Sequence, residues 1–299
     1  MSYGNDELLS AISAFSAEKV SYPMPDLWPE VYLPEVRNTS YAMSPTILCS
    51  ALFGIGKGTL LESENGKKKY TRKFIERRFT TTNGALIDYR GFELCQDDLS
   101  VLLSLLKKHA GFACSLPIEL TPSNFCTQIG WSDNATNIVR LKESLMRLRF
   151  AFLIITAAAR HGTEVSKLAK AIGNGWTMNF LADFSFNENR WQVTLDKRIG
   201  QLFNTAATYL IVSRRQSLTE GLQTWLYGYI ESNTCAYAIT VEKLHTACGS
   251  TATLKEFSRQ VREAIPKLVA ARALLDCSSV KNGKVCLFKR HSGKPITVR

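Results

Sequence analysis

One segment of this 299-residue chain occurs twice. Residues 121–130 and 240–249 share a threonine, two apolar positions and a final glycine. A polar turn follows each glycine, and an extended segment comes later, over 150–156 and 274–279. Between turn and extended segment, apolar residues recur at helical spacing: Ile138, Leu141, Leu145 and Leu148, then Phe257, Val261, Ile265 and Leu268. Two similar copies at a nearly constant offset predict duplicated domains.

Each copy has the pattern of a helix-turn-helix motif. A threonine that suits a helix N-cap precedes the first helix, and glycine lies in the turn. In the second copy, apolar segments flank Asn282-Gly283, and Asn-Gly is the strongest short signal for a β-hairpin. A hairpin after the second helix would complete a winged helix. We therefore predict an α+β fold with two tandem winged-helix domains, over 41–212 and 213–299.

Residues 1–40 differ from the rest of the chain. They hold six acidic residues against two basic ones, and prolines at positions 23, 25, 29 and 34. Ahead of the prolines, Leu8, Leu9, Ile12 and Phe15 recur at helical spacing. We predict a partly disordered N-terminal arm whose amphipathic segment lies on a partner or on the body of the protein. A frayed tail is the alternative.

The charge of the chain points to a polyanionic partner. Its formal net charge is +11 and its pI is near 9.3, which is typical of proteins that meet nucleic acid or an anionic membrane. No apolar run is long enough to span a bilayer, and the N-terminus lacks the pattern of a secretory signal. We therefore expect a cytoplasmic protein with no membrane partner.

No motif in the sequence indicates an enzyme. The eight cysteines form no close ligand pair, so we interpret them as buried thiols and predict no metal site. The four histidines are scattered, and residues 54–58 lack the pattern of a phosphate-binding loop. We predict no catalytic residues and no cofactor.

The expected chemistry is recognition of double-stranded DNA. In the second copy the helix carries basic side chains on one flank, and the hairpin adds lysines beside its turn, where phosphates are contacted. Arginine and asparagine can also make paired hydrogen bonds to base edges. An ordinary solvated helix face is the alternative interpretation. The predicted DNA contacts are Lys255, Ser258, Arg259, Arg262, Lys281, Lys284, Lys289, Asn137, Arg140, Ser144, Arg147, Arg72 and Lys73.

Pro266 lies inside the second helix of the second helix-turn-helix copy. Proline removes a backbone donor and clashes with the preceding turn. We expect it to kink or split the helix, which leaves residues 254–265 for DNA.

Several stretches resemble the TrfA replication initiators of broad-host-range plasmids. They are Ser50–Phe53, Gln96–Leu99, Leu145–Leu148, Leu222–Tyr229 and Phe257–Gln260 with the helix that follows, within a resemblance from Pro45 to Lys289. The resemblance implies binding to repeated origin sequences (iterons) through two winged helices, opening of an adjacent AT-rich segment, and recruitment of host helicase and initiator proteins. It also implies a monomer–dimer equilibrium. A Gln-x-x-Leu-type contact with the sliding clamp would fall on Gln96, Leu99 and Leu102, although these leucines also fit the buried face of a helix.

Three other functions are alternatives to replication initiation. A winged-helix transcriptional repressor has the same sequence pattern. A nicking relaxase needs a histidine cluster, which the sequence lacks. A membrane-surface protein is favoured by the charge alone.

Overall fold

The computed structural model describes residues 32–61, 69–81, 85–156, 175–188, 190–203, 206–233, 237–281 and 283–289. The helices are α1 (Pro45–Leu48), α2 (Gln96–Lys108), α3 (Pro122–Gln128), α4 (Ala135–Arg149), α5 (Val212–Gln216), α6 (Leu222–Ser232), α7 (Val241–Cys248) and α8 (Leu254–Ala270), with a 3-10 helix over Lys197–Phe203. The strands are β1 (Ser40–Met43), β2 (Phe53–Gly54), β3 (Thr59–Leu61), β4 (Lys69–Thr71), β5 (Phe74–Thr80), β6 (Leu86–Phe92), β7 (Leu94–Cys95), β8 (Pro117–Leu120), β9 (Phe152–Thr156), β10 (Gly175–Asn179), β11 (Leu181–Phe186), β12 (Trp191–Leu195), β13 (Thr208–Ile211), β14 (Tyr237–Thr240), β15 (Ser279–Lys281) and β16 (Lys284–Leu287). The fold is thus α+β, as predicted.

Two units share one order of elements: a helix, a strand, two helices joined by a short turn, and a β-hairpin. The first unit is α2, β8, α3, α4, β11 and β12, and the second unit is α6, β14, α7, α8, β15 and β16. Their sheets have the orders β11-β12-β8 and β15-β16-β14. In both, the last strand of the hairpin lies in the middle and pairs with the strand before the helix pair. The repeated sequence therefore has a repeated topology.

Local sequence explains both helix pairs. The shared glycines, Gly130 and Gly249, follow their helices with φ of +85° and +67°, a backbone conformation that glycine adopts without steric cost. Asn134 and Thr253 cap the second helices, and each side chain accepts a hydrogen bond from the backbone N–H three residues later. The hairpin predicted at Asn-Gly is present, because Lys281 pairs with Lys284 across the turn.

The first unit contains an insertion that the second lacks. After α4, strands β9 and β10 come before the hairpin and join β5 and β6 in a four-stranded antiparallel sheet of order β10-β9-β6-β5. The extended segment predicted after the first helix pair is β9. It belongs to this sheet, whereas the hairpin of the first unit lies further along the chain.

The segment that precedes the first unit in the chain packs against the second unit. Strand β1 pairs with β13, and the indole of Trp225 in α6 donates a hydrogen bond to the carbonyl of Ser50 at 3.0 Å. Gly228 and Gly249 bring the second unit close to Leu48 and Ala51. One continuous buried apolar cluster runs through both units. The domain boundary between 212 and 213 stays a prediction.

Helix α8 corrects the expectation for Pro266. The helix continues through Pro266 to Ala270, so the predicted split is wrong. Pro266 is exposed, while Ile265 and Leu268 on either side of it are buried. Burial of the apolar stripe beyond Pro266 holds the last turn of the helix, and water can solvate a carbonyl that loses its donor on the exposed side.

Candidate nucleic-acid interface

Helix α8 presents a basic face to solvent. Its apolar stripe, including Phe257 and Val261, is fully buried. Lys255, Arg259 and Arg262 are exposed on the opposite side, and Ser258 is half-buried between the two faces. A helix that is anchored through one face and carries arginine and lysine on the other is suited to lie in a DNA groove.

Arg259 is held by two carboxylates of the same helix. Its Nε donates to Glu256 at 2.8 Å, and its Nη1 contacts the carboxylate of Glu263. The hydrogen bond from Arg259 lowers the pKa of Glu256 to about 2, and the same bond raises the pKa of Arg259. The Arg259 guanidinium is thus occupied by carboxylates of its own helix, and its contact with DNA stays a prediction.

The hairpin of the second unit places two lysines beside its turn. Lys281 and Lys284 face each other across β15 and β16, and both are exposed. Lys289 differs, because its Nζ lies 2.7 Å from the carboxylate of Glu231 in α6 and also donates to the backbone carbonyl of Glu231. Lys281 and Lys284 are available to a polyanion, whereas Lys289 links the end of the hairpin to α6 through an ion pair and a hydrogen bond.

In the first unit, part of the predicted DNA-contact row faces the interior. Ser144 is fully buried and donates to Asp98 Oδ1 at 2.7 Å. Arg147 donates to the same oxygen from Nε at 3.0 Å and from Nη2 at 2.9 Å. The prediction that Ser144 and Arg147 contact DNA is wrong, because α4 packs against α2 and the two side chains neutralise a buried carboxylate there.

Arg140 and Arg72 belong to the same buried network. Both arginines reach Asp97, at 3.3 Å from Arg140 and 3.1 Å from Arg72. Arg140 also lies 2.6 Å from Glu220, and its guanidinium stacks over the Trp131 ring at 3.9 Å. Both arginines are therefore engaged by internal partners, and their contact with DNA stays a prediction.

Asn137 and Lys73 complete the predicted set. The side-chain amide of Asn137 donates to the carbonyl of Ser132 at 2.9 Å, so this donor supports the turn before α4. Lys73 is exposed beside β5, and its contact with DNA stays a prediction.

Asp97 and Asp98 respond differently to burial. Burial and the neighbouring charge of Asp97 raise the pKa of Asp98 to about 6. Burial also acts to raise the pKa of Asp97, but Arg72 and Arg140 outweigh it and lower that pKa. Sequence reasoning missed this network. The adjacent aspartates at the start of the leucine-rich helix α2, matched by the arginine row of α4, were the available signal.

The clamp-type motif is buried in the part of the chain that the structure describes. Gln96, Leu99 and Leu102 are at most 2% exposed. The Gln96 amide donates to the carbonyl of Phe53 at 2.7 Å, and Arg215 donates to the Gln96 side chain at 3.2 Å. The interpretation of these residues as part of a buried helix face is confirmed.

The outer face of α4 is not basic. Val139, Glu143 and Met146 are its exposed residues near the middle of the helix. Lys142 lies beside this face, and its Nζ is 3.8 Å from the centre of the Phe186 ring at the end of β11. The exposed Arg190 lies in the turn of that hairpin. Lys142, Phe186 and Arg190 are solvent-facing candidates that sequence reasoning overlooked.

The described residues contain no group of three or more histidine, cysteine or acidic side chains that could hold a metal ion. None of their helices has the length and apolar character needed to cross a membrane.

The match to a family model settles the relationship of the chain. The model of the TrfA protein family matches residues 48–289. The chain belongs to the TrfA family. It is 26% identical over 207 residues to the plasmid replication initiator protein TrfA of Escherichia coli, which covers 67% of this chain and 52% of that protein. The chain therefore spans about half the length of this TrfA relative.

A solved structure shares the fold. The crystal structure of domains 2 and 3 of RctB superposes with a TM-score of 0.53 at 14% sequence identity. The match covers 84% of this chain and 100% of the RctB chain. This likeness concerns the arrangement of helices and strands alone.

Proposed function

We propose that this chain is the double-stranded DNA-binding part of a plasmid replication initiator, and that its two units are winged-helix domains. The observation that carries the proposal is the second unit: an anchored helix α8 with an exposed basic face, followed by a hairpin with exposed Lys281 and Lys284 at its turn. Membership of the TrfA family supports the same function.

In the proposed complex, α8 enters the major groove. Lys255, Arg259 and Arg262 face bases and phosphates, and Ser258 lies at the edge of the contact. Lys281 and Lys284 contact the flanking phosphates. Because Pro266 does not end the helix, the whole exposed face from 254 to 270 is available along the groove.

The first unit contributes differently. Its arginine row serves the buried network, so its DNA contacts come from the hairpin near Arg190, from Lys142 and from the exposed Lys73. The two units then make unequal contacts within one repeat. We keep 41–212 and 213–299 as the proposed domains.

The biological role follows from the relative. We propose that the protein binds iterons at an origin, helps to open it and recruits host replication proteins, and that it passes between dimer and monomer in the bacterial cytoplasm. It needs no catalytic residue for this work, and the buried Gln96 leaves no clamp contact at that position.

A footprint on the DNA that flanks the gene tests the proposal. We expect protection of evenly spaced direct repeats that survives competitor DNA, with affinity that falls steeply between 50 and about 200 mM salt. Arg262→Ala should weaken the footprint, whereas Arg147→Met should alter stability instead. Protection of a single palindrome would favour a repressor. Weak binding without a footprint would contradict sequence-specific recognition.

An origin plasmid tests initiation itself. The gene should allow a plasmid that carries the protected repeats to replicate in a host lacking another initiator, and Arg262→Ala should reduce its copy number. DNA binding without replication would separate the two parts of the proposal.

A further inference from the structure

One face of the four-stranded sheet exposes several phenylalanines among its charged side chains. Side chains alternate between the two faces of a strand, and an antiparallel sheet with one buried face usually turns polar residues outward. Ile87 and Tyr89 of β6 point into the core. On the opposite face Phe74, Phe92 and Phe152 are between 36% and 55% exposed. This pattern is typical of a surface that another element covers.

The exposed residues form one groove. Phe74 pairs with Phe92 across β5 and β6, with ring centres 5.6 Å apart, and Arg90 of β6 pairs with Phe152 of β9. Phe150, just after α4, lines the same open cavity, which has a volume of about 1030 Å³. We call this cavity the sheet groove; Ile154 also lines it.

The sheet groove lies in a basic neighbourhood. Residues 67–92 include eight lysines and arginines and only two acidic residues, Glu76 and Asp88. Asp88 is already engaged, since its carboxylate binds Arg78 at 2.6 Å. A fitting occupant is therefore apolar on one side and acidic on the other.

The N-terminal arm has this chemistry. Residues 1–31 lie outside the described part of the chain, and their sequence has five acidic residues and one lysine. In a helical arrangement of residues 6–18, Leu8, Leu9, Ile12 and Phe15 share one side, while Asp6, Glu7 and Glu18 lie away from that side. A helix of about 13 residues is roughly 20 Å long, which matches the length of strands of about six residues.

The connection is long enough. Sixteen residues with three prolines lie between Phe15 and Tyr32, where the described chain begins beside Ala113. At ~3.1 Å per residue an extended, proline-rich stretch spans roughly 50 Å. A compact protein of about 300 residues has a radius of gyration of about 19 Å, so the linker is longer than the radius of the folded body. The arm can therefore reach the groove from its own attachment point.

We propose that residues 6–18 of the same chain dock as an amphipathic helix in the sheet groove and cover its phenylalanines. A second copy fits less well, because a symmetric contact would bring two basic neighbourhoods together. Duplex DNA also fits less well, because its bases are stacked inside the helix and its phosphates gain nothing from exposed phenylalanine rings. This inference is independent of the proposed DNA binding.

Hydroxyl-radical footprinting of the full chain tests the docking. Phe186 is 47% exposed on another sheet, so it is a reference with exposure comparable to that of the groove residues. We expect Phe74, Phe92 and Phe152 to oxidise several-fold more slowly than Phe186. Leu9→Asp with Ile12→Asp should raise their rates to that of Phe186. Ser10→Asp with Ser13→Asp adds the same charge to the polar side of the arm and should leave the protection in place.

A peptide experiment checks the same contact without relying on the arm variant alone. A labelled peptide of residues 4–20 should bind the Leu9→Asp/Ile12→Asp protein and should fail to bind when Phe152→Asp is added, with circular dichroism confirming that both proteins are folded. The proposal would be overturned if the groove phenylalanines oxidise as fast as Phe186 in the unaltered protein. Protection that grows with protein concentration would also overturn it, because it indicates a second copy. Protection that requires added DNA would overturn it as well.

Discussion

Arg147 and Asp98 form a buried ion pair in which two guanidinium nitrogens donate to one carboxylate oxygen, at 3.0 and 2.9 Å. Asp98 is fully buried, and Ser144 supplies a third donor to the same oxygen. The pair joins α4 to α2 inside the first unit. In this unit, residues that were predicted to contact DNA belong instead to the contact between two helices.

Removal of the arginine should destabilise the fold. Arg147→Met leaves the Asp98 carboxylate buried without its charged partner, which costs about 3–5 kcal/mol of unfolding free energy. Urea denaturation measures this loss, and Arg262→Met, at an exposed site, should stay within about 0.5 kcal/mol of the unaltered protein. If Arg147→Met instead kept full stability and lost DNA affinity, Arg147 would contact DNA after all.

The pKa of Asp98 predicts a pH dependence of stability. Because its folded-state pKa is raised to about 6 by burial, the folded protein binds a proton that the unfolded chain releases near pH 4. The contribution of this group is therefore complete below about pH 4 and is lost as the pH rises through 6. Asp98→Asn should remove this decline. The unfolding free energies of both proteins from pH 4 to 7 measure the effect, and parallel profiles would contradict it.

The hairpin lysines should control the salt dependence of DNA binding. Lys281→Ala with Lys284→Ala should weaken binding to all sequences alike, and should reduce the slope of log affinity against log salt by about 1 per lysine. Lys289→Ala is the matched control, because Lys289 is paired with Glu231 and its loss should reduce stability and leave the slope unchanged. Equal slopes for all three proteins would exclude phosphate contacts at the turn.

The carboxylates that hold Arg259 should oppose DNA binding. Glu263→Gln removes a negative charge and one competing partner, so we expect affinity to rise roughly 2- to 5-fold. Arg259→Ala should lower it by about 1–3 kcal/mol, and should relax specificity at one base pair if the side chain reads a base. Gel shifts with the single and double variants separate the effects. A gain from Glu263→Gln that is undiminished in the Arg259→Ala background would show that Arg259 is not released.

Pro266→Ala should stabilise the protein. The helix is continuous around the proline, so alanine restores a backbone donor without altering the buried stripe. We expect a gain of about 1–3 kcal/mol in unfolding free energy, with unchanged DNA affinity. Loss of stability on this substitution would mean that α8 depends on a distortion at Pro266.

The sequence predicted what depends on local rules. The glycine turns, the Asn-Gly hairpin and the buried apolar stripes of α4 and α8 follow from periodicity and turn chemistry. The faces of polar residues were harder to predict. Arg140 and Arg147 each come one position before a residue of the buried apolar stripe. One position is a rotation of 100° around a helix, so both arginines lie at the edge of the buried side. Lys255 and Arg259 precede stripe residues by two positions, or 200°, and so face solvent.

Tertiary pairing accounts for what was missed. The aspartates that attract the arginines of α4 come from α2, some 40 residues earlier, and no local pattern shows that the two helices meet. The insertion of β9 and β10 was equally hidden, because a strand after a helix can pair with any free edge. Its partner β6 lies before the whole first unit.

This insertion gives the two units different folding problems. In the second unit the strand β14 and its partner β16 are separated by fewer than 50 residues, and α7, α8 and β15 lie between them. The four-stranded sheet that holds the insertion must close a loop of about 60 residues, from Arg90 to Phe152, before β6 and β9 can pair. Distant pairings slow folding because the chain loses entropy before it gains contacts. During refolding, the unit with the basic helix should become structured first, and the sheet with the apolar groove should be the last part to form.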